Sequence, residues 1–253
     1  MTKKLPVALQ LYTVRDKTAQ DFAGTVRQVA QMGYNSVEFA GTGGLSAPAL
    51  KALLDELNLK AVGPHLAIDL LTGELEAQLD YFAELGAPYI TCPYLPEPYR
   101  APEQFAETCA LFNRIGQTCQ SRGMQFCYHN HAFEFEARIG DKTLFDALYD
   151  NTDPELVKGE VDVYWVQFAG HDPAETIAAR PGRFPLIHLK DMTAGDEPTF
   201  AEVGEGIIDM HAIFAASQAN GATWYIVEQD RCQRPSLESA KLSIDNLIKW
   251  GQV

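Results

Sequence analysis

Basic charge, paired thiols and long apolar runs are all scarce in this 253-residue chain, and each scarcity removes a class of function. Lys and Arg number 20 against 34 Asp and Glu, giving a net charge of −14. The basic residues are scattered singly, which argues against the basic groove that binding a phosphate backbone requires. The five cysteines, Cys92, Cys109, Cys119, Cys127 and Cys232, are odd in number and show no CxxC spacing. Neither a disulfide framework nor a thiolate zinc site is expected, and a reducing compartment fits. No apolar run is long enough to span a bilayer, and the start, Met-Thr-Lys-Lys-Leu-Pro-Val, enters a strand-like run without the apolar segment and cleavage site of a signal peptide. A cytoplasmic protein with neither a membrane nor a nucleic-acid partner is expected. The GxGxxG and P-loop spacings are missing too, so Gly41-Thr-Gly-Gly44 reads as a loop after the second strand.

What is present is apolar material in a regular order. Hydrophobic residues make up 46% of the chain, enough for a sizeable core, and nothing resembles a linker, so residues 1–253 are read as one domain. Short, mostly apolar strand candidates occur at 7–14, 36–40, 60–65, 89–93, 125–131, 159–166, 186–190 and 224–228. Between them lie amphipathic stretches at 21–31, 47–57, 75–85, 102–121 and 210–219, and 236–250 reads as a closing helix. Gly33, Gly86, Gly123 and Gly221 stand where helix C-caps are expected. Eight alternations in this length predict a (β/α)8 TIM barrel rather than an open doubly wound sheet.

Barrel enzymes build their sites at the C-terminal ends of the strands, and those positions here are polar. In order they are Gln10, Tyr12 and Arg15, then Glu38, His65 and Cys92, then His129, His131 and Glu134, then Asp162, His188 with Lys190, and Glu228 with Asp230. A lone strand histidine is usually a hydrogen-bonded core residue, and a terminal carboxylate often caps a helix. Together, though, the residues on the last four strands offer one solution to the cost of burying charge: a shared divalent ion. Imidazole and carboxylate suit Mn²⁺, Zn²⁺ or Mg²⁺. Two-residue alternation would place His129 and His131 on one face, with Asn130 opposite.

Several segments carry a resemblance: Gln10-Leu-Tyr-Thr-Val-Arg15, Val37-Glu38, Gly63-Pro-His65, Tyr128-His-Asn-His131 with Phe133-Glu-Phe135, Val161-Asp-Val-Tyr-Trp165, Ile187-His-Leu-Lys-Asp191, Val203-Gly-Glu-Gly-Ile-Ile-Asp209 and Ile226-Val-Glu228. Through them nearly the whole chain resembles the sugar phosphate isomerase/epimerase family of xylose-isomerase-like barrels. The resemblance implies a divalent metal held from strands five to eight, with Asp162, His188 and Glu228 in three of the roles. His129 stands where ketose epimerases usually have Glu, and Glu134 and His131 are the competing candidates.

The implied reaction is sugar or sugar phosphate isomerisation or epimerisation, by α-deprotonation to a metal-stabilised enediolate. In that reading Glu228 is ligand and proton acceptor, and Glu134, His131 or Lys190 handles the second proton. A structural alternative for Lys190 is a salt bridge to Asp162, Asp191 or Glu228. Arg15, Glu38, His65, Tyr12 and Trp165 are assigned to the substrate or its surroundings, with Cys92 as part of the wall. One rival uses the same site as a lyase or hydratase on 3-keto-glycosides, and another is a non-catalytic sugar-binding barrel. A DNA-repair endonuclease of the same fold is opposed by the acidic charge and by the want of a three-metal histidine set. The expected partner is a small-molecule sugar, with assembly into a homo-oligomer left open.

Overall fold

The structure is a computed structural model that describes residues 4–253. Met1–Lys3 of the expected leaderless start lie outside the described residues. Eight parallel strands lie in the spatial order β3-β2-β1-β8-β7-β6-β5-β4. They are β1 (Val7–Gln10), β2 (Ser36–Phe39), β3 (Lys60–Pro64), β4 (Tyr89–Cys92), β5 (Gln125–His129), β6 (Val157–Asp162), β7 (Leu186–Leu189) and β8 (Trp224–Val227). A bridge between His65 and Thr91 joins β3 to β4, and Leu66 N donates to Thr91 O at 2.8 Å, so the sheet nearly closes on itself. Amphipathic helices cover the outside, among them Phe22–Met32, Ala47–Leu57, Leu75–Glu84, Phe105–Ser121, Met210–Ala219 and Ser236–Lys249. Among the described residues no helix is long and apolar enough to cross a membrane.

Three strands end two or more residues sooner than hydropathy predicts, and each stop has a side-chain cause. β1 ends at Gln10, whose side-chain Oε1 accepts from Tyr12 N at 3.0 Å and turns Leu11–Val14 into a 3₁₀ helix instead of more strand. β6 ends at Asp162, which caps the helix Val163–Phe168 by accepting from Tyr164 N at 3.0 Å and Trp165 N at 3.2 Å. β5 ends at His129, so the regular alternation expected to run through His131 stops there. Asn130 instead clamps the end of β6, accepting from Asp162 N at 3.0 Å.

Strand alternation sorts the barrel interior into layers. Ala8, Val62, Tyr89, Cys127, Leu186 and Ile226 form an apolar plug at the bottom, separate from the larger core between sheet and helices. One step higher the register pairs Gln10 with Glu38, His129 with Glu160, and Asp162 with His188. Barrel interiors are usually filled with branched aliphatic side chains. Here the upper half is polar, and that is where the chemistry lies.

Candidate functional site

Four residues from four consecutive strand ends converge at the top of the barrel. The ligand-capable atoms of His129, Asp162, His188 and Glu228 all lie within 4.8 Å of one another, and all four residues are buried. His129 Nε2 is 3.1 Å from Asp162 Oδ2, and His188 Nδ1 is 2.9 Å from Glu228 Oε2. His188 turns its other nitrogen, Nε2, to Glu38 Oε2 at 2.8 Å, which sets the ring so that Nδ1 faces the cage.

The Lys190 ammonium sits against this cage, 2.8 Å from Asp162 Oδ2, 2.8 Å from Glu228 Oε2 and 2.7 Å from Asp230 Oδ1. Burial opposes its charge, but the three carboxylates outweigh burial and hold its pKa well above the ordinary value. Burial likewise works against ionised Asp162, yet Lys190 and His129 bring its carboxyl down to about 2. Carboxylates gathered around a cation, with two imidazoles alongside, form a donor set that fits a divalent ion such as Mn²⁺ or Zn²⁺. His129 Nδ1 is buried without a partner, as a ring whose bonding capacity is not met within the chain would be.

Directly below is a second cluster made by Glu38, His65, Glu160 and His188. Glu160 was not singled out from the sequence. The available signal was its spacing: two residues before Asp162 on one strand, it must share the inward face.

A cavity of about 350 Å³ opens over the cage, bordered by Tyr12, His65, Tyr94, His131, Lys190 and Asp230 among others. A larger hollow of about 760 Å³ lies at the opposite end of the barrel around Lys60 and Trp224, away from the titratable cluster, so the smaller cavity is the functional one. His131 borders it, its Nδ1 buried without a partner and its ring packed edge-on to Tyr94 and stacked on Phe133. Burial, with help from His129 and Lys190, lowers its pKa to about 3, so the imidazole is neutral at neutral pH.

The remaining expected residues fall elsewhere. Glu134 does not reach the cavity: its Oε1 accepts from the Tyr128 hydroxyl at 2.5 Å and its Oε2 from His131 N at 2.8 Å. Burial pushes its pKa up to about 8, and its place in the outer core makes it a support for the β5 end instead of an acid–base group. Arg15 is exposed, with its guanidinium donating to the Tyr12 and Asp230 carbonyls and lying 3.9 Å from the Tyr12 ring centre, so it braces the rim and does not enter the cavity. Glu38 is fully buried beneath the cage, out of a substrate's reach. Cys92 faces the outer core. Trp165 stands behind His131, ring centres 5.5 Å apart, and Tyr12, 42% exposed, forms the rim. Lys190 makes two of the three salt bridges considered, to Asp162 and Glu228, and Asp230 takes the place of Asp191.

The family described as xylose isomerase-like TIM barrel matches residues 26–250. Inosose dehydratase of Geobacillus kaustophilus (strain HTA426) is 26% identical over 87% of this chain and 85% of its own length. A solved sugar phosphate isomerase/epimerase from Parabacteroides distasonis ATCC 8503 has a TM-score of 0.82 at 26% identity, covering 97% of this chain and 98% of that one. The IOLI protein with a binding zinc atom shares the fold, with a TM-score of 0.76 at 13% identity over 97% and 99% of the two chains. These findings correct the expected reaction. A relative matched over most of both chains is named for removing water, so isomerisation or epimerisation gives way to the lyase alternative.

Proposed function

We propose that this chain, which belongs to the xylose isomerase-like TIM barrel family, is a metal-assisted lyase that removes water or another β-substituent from a polyhydroxylated ring ketone. The observation that carries the reading is the sharing of one cavity by a four-ligand cage, a neutral imidazole and a carboxylate-held ammonium. The named activity of the dehydratase relative supports it, with an inosose as the first substrate to try and a 3-keto-glycoside as the second.

His129, Asp162, His188 and Glu228 would hold the ion. A divalent ion there supplies Lewis acidity, polarising the ketone and so acidifying the adjacent C–H. His131 is the group placed to take that proton: its ring borders the cavity and is neutral. Glu228, expected as the acceptor, has Lys190 and His188 on its carboxylate and is itself one of the four cage residues, so its oxygens are already engaged. Lys190 stays protonated and serves as a donor to the oxygen on which charge develops, anchored by Asp230. The imidazolium of His131 then returns the proton to the departing oxygen. The α C–H and β C–O bonds break, a C=C bond forms, and water or an alcohol leaves.

The test is to incubate metal-loaded protein with an inosose and with a 3-keto-glycoside, following dehydrated product and aglycone by NMR in D₂O. Elimination with either substrate supports the reading, whereas exchange of the α-proton without elimination overturns it. His131→Asn should lower kcat by ~10²-fold or more while the ion stays bound, as expected for loss of a proton-transfer group.

A further inference from the structure

In the polar layer beneath the cavity, Glu160 and His65 have no role in the elimination just described, and Glu38 only orients His188. Glu38 from β2 and Glu160 from β6 are both completely buried. Their Oε2 atoms face the same two imidazoles. His65 Nε2 lies 2.6 Å from Glu160 and 3.2 Å from Glu38, while His188 Nε2 lies 2.8 Å from Glu38 and 3.2 Å from Glu160. The second oxygen of each carboxylate, Oε1, is buried and has no hydrogen-bond partner, and neither has Thr91 Oγ1 on neighbouring β4. Native interiors seldom leave such atoms orphaned, and those that are mark a missing water or ion.

The donor set points to a cation: the ligand-capable atoms of Glu38, His65, Glu160 and His188 all lie within 4.8 Å of one another. Buried carboxylates are costly unless paired or metal-bound, and each of these two has one oxygen still unfilled.

We propose that Glu38, His65 and Glu160 form a second divalent-cation site beneath the first, with the His188 ring lying between the two. Two carboxylates and one imidazole suit Mn²⁺ or Zn²⁺. Entry is from the cavity, since His65 borders it and its side chain is 11% exposed. The proposal rests on the upper cage being a metal site, and ion counting separates the two ideas.

Metal-free protein reconstituted with Mn²⁺ and freed of excess by gel filtration should carry two ions per chain by plasma mass spectrometry. Its low-temperature EPR spectrum should show dipolar coupling between two neighbouring ions. Glu160→Gln should hold one ion and lose the coupling. A single ion in the unmodified protein overturns the second site and leaves the first standing, while none sinks both. Two ions or none in Glu160→Gln also overturns the proposal. Should that variant fail to fold, the count and the EPR coupling in the unmodified protein decide.

Discussion

Asp191 and the barrel-centre pair Glu38 and Glu160 are buried carboxylates only a few residues or strands apart, yet the chain treats them in opposite ways. Asp191 is saturated: Oδ1 accepts from Met192 N at 2.8 Å and Ile208 N at 3.1 Å, and Oδ2 from Gly204 N at 2.9 Å and Gly206 N at 3.1 Å. Those bonds explain the Val203-Gly-Glu-Gly-Ile-Ile-Asp209 motif. A Cβ at position 206 would lie 2.3 Å from Asp191 Oδ1 and 2.4 Å from Met192 O, so only glycine lets the loop wrap the carboxylate this closely. Glu38 and Glu160 each keep one oxygen unfilled. A carboxylate buried for architecture has its acceptors filled by backbone N–H groups, whereas one kept beside a reactive site retains capacity for something the chain does not supply.

The contrast can be broken most directly at the cage. Asp162→Asn keeps an acceptor for the helix cap at Tyr164 and Trp165 but removes the charge that a divalent ion needs. It should cut turnover by about 10³-fold, ~4 kcal/mol of barrier, abolish ion retention, and lower the melting temperature by several degrees as the Lys190 partner charge is lost. Asp191→Ala should cost stability alone. Four backbone donors lose their acceptor, so denaturant unfolding should register a loss of about 3 kcal/mol while the folded fraction still binds the ion. If Asp191→Ala lost the ion and kept its stability, the division between architectural and reactive carboxylates would fail.

A gentler test uses pH on metal-free protein. Burial lowers the pKa of His65, but Glu38 and Glu160 outweigh it and raise the value from 6.5 to about 10. A raised folded pKa means that His65 contributes stability that is fully present below pH 6.5 and lost as pH rises through 10. Asp162, lowered from 3.8 to about 2, contributes above pH 3.8 and loses its contribution, about 2 kcal/mol, as pH falls through 2. Thermal melts should therefore be flat between about pH 3.8 and 6.5 and decline on both sides. In Glu160→Gln the alkaline decline should shrink, and an unchanged alkaline arm would show that the inner imidazole is not held by that carboxylate.

Much of the fold was legible because apolar strands and amphipathic helices differ in period. The helices at Ala47–Leu57 and Met210–Ala219 start and stop where their hydrophobic pattern does. Strand ends were less legible. Leu11–Val14 and Val163–Phe168 are as apolar as the strands before them, and the Gln10 and Asp162 side chains that turn the chain act through hydrogen bonds that hydropathy does not record. At the site, His129, Asp162, His188 and Glu228 could be picked out because each interrupts or ends an apolar run. Glu160 was hidden inside Lys158-Gly-Glu-Val-Asp162, where it looks like one more charge near a loop, and Glu134 misled because proximity in sequence to His131 says nothing about which side of the sheet a side chain takes after the strand has ended.

By itself, then, the amino-acid order determined the eightfold alternation, the acidic surface and the supply of ligand-type residues at successive strand ends, because periodicity and composition act locally. Only the closed barrel decided which of those residues meet. Register brings Glu160 beside His129 and His188 beside Asp162, stacks a second polar cluster under the first, and leaves Glu134 and Arg15 outside. Convergence of that kind comes from strand stagger and closure, and it exists once distant segments share an interior.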